Sequence, residues 1–123
     1  MKLFRRRKEN RIPDKVPVRV LTRRLQVNVS GLELISADVS RNGLQVACPE
    51  LRFVRFEQAV QDGELDIQVA IPGGGTVAPR CRVAYSSTYG DEVLVGLQFQ
   101  AFSETDRAEW DAYIKALGGM EQS

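Results

Sequence analysis

Residues 36–46, "SADVSRNGLQV", place an acid, a hydroxyl and an Asn-Gly pair within six positions and then resume an apolar alternation. Asp, Ser and Asn-Gly are turn-forming residues, since their short polar side chains bond the local backbone and Gly tolerates tight geometry. On the upstream side Val27, Val29, Leu32 and Leu34 recur at a strand-like spacing, with a turn or bulge at Ser30-Gly31; on the downstream side "LQVAC" alternates until Pro49. A period of two on both flanks of a turn signals an antiparallel pair of strands, not a helix.

The same period extends in both directions. Val16, Val18 and Val20 alternate with Pro17 and Arg19, which predicts an earlier strand with its proline near the start. "ELDIQVAI" follows an expected turn at Asp62-Gly63, and "PGGGT" reads as a flexible connection. "VAPRCRVAYSS" and "EVLVGLQFQ" flank "TYGD" and should pair through it. "ELRFVRFEQAVQDGE" fits two readings, a strand extension or a cap on the end of a barrel made by Leu51, Phe53 and Phe56. The period changes only near the C-terminal end, where Trp110, Tyr113, Ile114 and Leu117 fall at i, i+3, i+4 and i+7. Ser103 and Asp106 supply a capping box there, and Gly118-Gly119 a stop. The expected fold is all-β: a small six-stranded antiparallel, Greek-key-like β-barrel over residues 15–118 with one C-terminal α-helix at about 103–117. Barrel closure removes the unpaired edges that a domain this small could not otherwise cover. Trp110 and Tyr113 are expected to pack in the core.

At 123 residues the chain fits one domain. Cys48 and Cys81 lie in apolar segments and read as buried free thiols. No apolar run approaches the length of a membrane span, and the charged start "MKLFRRRKEN" does not resemble a signal peptide, so the expected location is cytoplasmic. The net charge of +1 hides a strong asymmetry: residues 1–24 carry ten Lys or Arg against Glu9 and Asp14, a net +8, and the remainder nets −7. Residues 1–14 show neither period and read as a flexible basic arm. With no histidine there is no Ser-His-Asp or Cys-His pair and no common zinc set, and "PGGGT" lacks the Lys of a phosphate loop. No catalytic residue and no metal ligand is assigned.

Two stretches remain that suit a ligand. "RRRKENR" holds Arg7 and Arg11 with three residues between them, and "DVSRNG" spans residues 38–43. A guanidinium grips paired phosphate oxygens or the O6/N7 edge of guanine and stacks on a base. The Asp38 carboxylate complements the N1 and N2 donors of guanine; Ser40 can donate to an anionic oxygen, and Asn42-Gly43 can turn backbone N–H groups the same way.

In these residues the chain resembles the PilZ domain family, bacterial receptor modules for cyclic diguanylate (c-di-GMP), whose signature is R-x-x-x-R on an arm and D/N-x-S-x-x-G on the barrel. "RKENR" supplies Arg7 and Arg11, "DVSRNG" supplies Asp38, Ser40 and Gly43, and "CRVAY", "VGLQF" and the final helix extend the similarity over almost the whole chain. The resemblance implies a c-di-GMP receptor with Asp38 and Ser40 on the barrel surface, Gly43 turning the backbone, and the arm closing over the nucleotide to present a new surface to a partner. Arg6, Arg41 and Asn42 are additional candidate contacts, Arg6 to a second nucleotide of an intercalated dimer. No cofactor beyond this ligand is implied. Two rival functions use the same residues: a nucleotide-independent protein-interaction module of the same fold, and a nucleic-acid binder using the basic arm. The acidic body and the lack of evident aromatic platforms speak against the second.

Overall fold

The structure is a computed structural model that describes residues 11–21 and 32–118. Arg6, Arg7, the alternation at Val27 and Val29, and the expected turn at Ser30-Gly31 lie outside the described residues. In chain order the elements are β1 (Pro17–Leu21), β2 (Glu33–Ser40), β3 (Gly43–Pro49), a short 3-10 turn (Glu50–Arg52), α1 (Phe53–Ala59), β4 (Glu64–Ala70), β5 (Thr76–Val77), β6 (Arg80–Tyr89), β7 (Glu92–Ala101) and α2 (Glu104–Ala116).

Six strands close into a ring. Pairing runs β1-β2-β3-β7-β6-β4, and β4 returns to β1 with Val18 opposite Val69 and Val20 opposite Ile67. Every pairing is antiparallel, and the two-residue β5 runs along the same edge of β4 as β6, in line with it, adding Val77 to the core. The alternation in the sequence has this cause: Val16, Val18, Val20, Leu65, Ile67, Val69, Val93, Val95 and Leu97 all point into the barrel and are buried. Cys48 and Cys81 are buried free thiols in the same core.

The segment that fitted two readings forms a cap. After Pro49 the chain makes the 3-10 turn and α1, which buries Phe56 and Ala59 over one barrel end, with Phe53 stacked on Phe56 at 5.9 Å. No strand extension occurs, and Leu51 is almost fully exposed instead of capping. Asp62 and Gly63 then turn the chain into β4 with φ of 57° and 78°.

Helix α2 begins where expected, the Ser103 hydroxyl accepting from the Asp106 N–H at 3.0 Å. Trp110 and Ile114 are fully buried, and the Trp110 ring meets Phe99 edge-on at 5.3 Å. Leu117, expected on the same face, is the C-cap and is exposed. Two α2 carboxylates also hold the loop around β5: Asp106 accepts from Ala78 N–H at 3.0 Å and Glu109 from Gly75 N–H at 2.7 Å.

Candidate functional site

The bulge in β2 decides where Asp38 points. Leu32, Leu34 and Ser36 face inward on alternate positions, and unbroken alternation would send Asp38 into the core as well. Between Ser36 and Asp38 the register slips by one residue, so that Ser36 faces Val46, Asp38 faces Gln45, and Ala37 is left over. Inward direction passes to Val39, which is fully buried, and Asp38 turns outward.

Arg11 meets Asp38 there. Its guanidinium donates to Asp38 Oδ1 at 2.7 Å, across 27 residues of sequence. The approach is fixed by the chain that follows. Ile12 exchanges two backbone hydrogen bonds with Val39, at 2.8 and 2.9 Å; Ser36 Oγ donates to the Asp14 carbonyl at 2.6 Å and accepts from Val16 N–H at 2.9 Å. The Tyr113 hydroxyl of α2 donates to the Asp14 carboxylate. Residues 11–14, expected as the end of a flexible arm, are therefore bolted to β2 and α2. Such contacts recover hydrogen bonds for backbone groups that a loose tail would leave to water.

A second bulge, in β6, aims another side chain at the same place. Val83 pairs with Leu97 and Tyr85 with Gly96, leaving Ala84 over, so Tyr85 turns outward instead of following Cys81 and Val83 toward the core. Its ring covers Gly96, where an added Cβ would lie 2.2 Å from the ring. The Tyr85 hydroxyl accepts from Gln45 Nε2 at 2.7 Å, with Arg11 a long 3.5 Å away. Arg11, Asn42, Gly43, Ala84, Tyr85, Gly96, Leu97 and Gln98 line an open pocket of about 260 Å³. It has room for one base-sized group, with any larger ligand continuing over the surface.

The remaining candidates divide. Ser40, expected on the surface, is fully buried: its hydroxyl lies 3.2 Å from the Gly43 carbonyl, and its own carbonyl accepts from Trp110 Nε1 at 3.0 Å. Placement at the last residue of β2, under α2, explains the burial. Gly43 does not supply an unusual backbone angle, since its φ is not positive and the two-residue turn is Arg41-Asn42. Its role is close approach, because a Cβ on Gly43 would sit 2.3 Å from the Leu97 carbonyl oxygen of β7. Arg41 and Asn42 are engaged with α2: Arg41 lies 3.5 Å from Asp111, and Arg107 donates to Asn42 Oδ1 at 3.2 Å. Arg107 also pairs with Asp111 at 3.3 Å and stacks over Phe102.

Tyr85, Gln45 and Gly96 were not singled out from the sequence. Only the register that places an aromatic residue opposite a glycine reveals them. Among the described residues no cluster of His, Cys, Asp or Glu could hold a metal, and no helix is long and apolar enough to cross a membrane.

Comparison with known proteins agrees with this architecture. The Bacillus subtilis inhibitor of motility MotI/DgrA superposes with a TM-score of 0.67 at 12% identity, over 92% of this chain and 52% of that one, so the chain spans about half its length. The PilZ domain of YcgR from Escherichia coli, solved with c-di-GMP, superposes with a TM-score of 0.62 at 16% identity, over 92% of both chains. No curated protein sequence matches. The family profile of the PilZ domain matches residues 5–116, which span both motifs, the barrel and α2, and the chain accordingly belongs to the PilZ domain family.

Proposed function

We propose that this protein is a c-di-GMP receptor that works by changing its surface when the nucleotide binds. The observation that carries this reading is the meeting of Arg11 with Asp38 beside the Tyr85 pocket. A guanidinium, a carboxylate and an exposed aromatic ring at one spot match a phosphate or the guanine acceptor edge, the guanine donor edge and the base face respectively. Membership of the PilZ family and the nucleotide in the YcgR structure support the same ligand.

In the free protein Arg11 and Asp38 satisfy each other. The nucleotide replaces this one contact with two, phosphate on Arg11 and base edge on Asp38, while Arg7 supplies a second guanidinium from the arm. Arg6 adds a contact if two nucleotides bind as an intercalated pair. Ser40 and Gly43 act beneath the ligand, one tying the hairpin and the other letting β3 lie close to β7; Asn42 already lines the pocket while held by Arg107, and Arg41 reaches the ligand only by leaving Asp111 of α2. Closing of the arm gives a downstream partner a surface that the free protein lacks.

Calorimetric titration with c-di-GMP tests the assignment. Saturable binding is expected, with Arg11→Ala weakening it by about 2 kcal/mol, roughly thirtyfold, through loss of a charge-assisted contact. Amide exchange over residues 1–10, ahead of the stretch already tied to β2, should slow on binding. Absence of saturable heat from the folded protein at tens of micromolar would overturn the ligand, and unchanged exchange at saturation would overturn arm closure alone.

A further inference from the structure

Among the described residues, β6 beyond the bulge at Ala84 has a neighbour on one side only. Tyr85–Tyr89 pair with β7 from Gly96 to Glu92, but on the opposite side β4 reaches no further than Arg82, and the last bond there runs from Val83 N–H to the Gly63 carbonyl at 2.9 Å. Residues 84–89 are all exposed. Among the described residues nothing pairs with the outward backbone groups of this stretch.

An open edge is ordinarily blunted by Lys, Pro or inward charge. This one, "AYSSTY", has a bulge at its first residue, Ala84, but none of these beyond it, and no ionisable group other than tyrosine stands between Arg82 and Asp91. The protein surface most complementary to it is another strand, because an extended row of N–H and C=O groups now left to water matches a second extended row bond for bond.

We propose that the occupant is a second copy of this chain, joined edge to edge through β6 in an antiparallel, two-fold arrangement centred on Ser87. Face parity selects the centre. Tyr85, Ser87 and Tyr89 oppose Gly96, Leu94 and Glu92 and share the outer face, whereas Ser86 and Thr88 oppose the buried Val95 and Val93. Directly opposed residues must share a face, so the register that uses the whole edge sets Tyr85 against Tyr89 of the other copy, Ser86 against Thr88, and Ser87 against itself. Two cross-strand tyrosine pairs then flank the axis, and no like charges meet. The sheets of the two barrels become continuous through β7-β6-β6-β7. This association requires no nucleotide, and its failure leaves the proposed ligand untouched.

Sedimentation equilibrium of the full chain, from about 10 µM to about 1 mM, reads the association directly. Ser87→Lys and Ser87→Glu each place like charges face to face on the axis and should raise the dimer dissociation constant about fivefold or more. An equimolar mixture of the two variants should restore association as a heterodimer. Circular dichroism and the thermal midpoint of each variant check that the exposed substitution leaves the barrel folded. A wild-type chain that stays monomeric throughout, including one that captures an extended peptide instead, overturns the proposal, as does a dimer indifferent to both substitutions.

Discussion

Strands β2 and β6 use the same device with opposite surroundings. Each carries one bulge that turns a polar side chain out of the core alternation, Asp38 in β2 and Tyr85 in β6. After its bulge, β2 ends under cover: Ile12 pairs with Val39, Trp110 bonds the Ser40 carbonyl, and Gly43 packs against the β7 backbone. After its bulge, β6 continues into solvent with one edge open and nothing but side chains on its faces. A bulge alone re-aims a residue; what lies around the rest of the strand decides whether that residue is held rigidly or left to adjust. The Asp38 side of the site is thus built on backbone, and the Tyr85 side on an exposed ring held by a side-chain hydrogen bond from Gln45.

The largest break in this contrast comes from Trp110→Ala. It empties a fully buried site and strips the Ser40 carbonyl of its donor, so a loss of about 3–5 kcal/mol is expected in chemical denaturation. Paired glycine substitutions sharpen the comparison next. Gly43→Ala forces a Cβ against the Leu97 carbonyl and must push β3 away from β7, at about 1–3 kcal/mol. Gly96→Ala meets only the exposed Tyr85 ring, so its stability cost should stay under about 1 kcal/mol. Its signature is a shifted Tyr85 ring resonance and weaker c-di-GMP binding. Equal stability losses in the two glycine variants would remove the distinction between a backbone-held and a side-chain-held half.

The smallest effect concerns the bolt at Asp14. Burial foremost, and then the hydrogen bond and charge of Asp14, push the Tyr113 hydroxyl above its ordinary pKa. The folded state therefore favours the neutral phenol. Its contribution is complete below the ordinary tyrosine pKa of about 10 and is lost as pH rises beyond it. Tyr113→Phe should cost about 1 kcal/mol near neutral pH and flatten the decline in stability above about pH 10. A wild-type and variant pair with parallel alkaline profiles would show that the bond does not hold the root of the arm.

Much of this protein was written in local pattern. Alternation at Val16, Val18 and Val20 and through β4 and β7 marked the barrel, since a strand with one buried face must repeat every two residues; Ser103, Asp106 and the spacing of Trp110 and Ile114 marked α2. R-x-x-x-R and D-x-S-x-x-G marked the family and brought Arg11 and Asp38 to notice. Three things came only from the tertiary structure: that Ser40 is buried, that Gly43 serves close approach instead of turning, and that Tyr85 stands beside Arg11 at the candidate site. Each depends on which strand lies alongside and in what register. Local periodicity places Tyr85 inside with Cys81 and Val83, and only the slip against β7 turns it out. A one-residue slip reverses every direction beyond it, and that slip belongs to the pair of strands, which no single stretch of sequence contains.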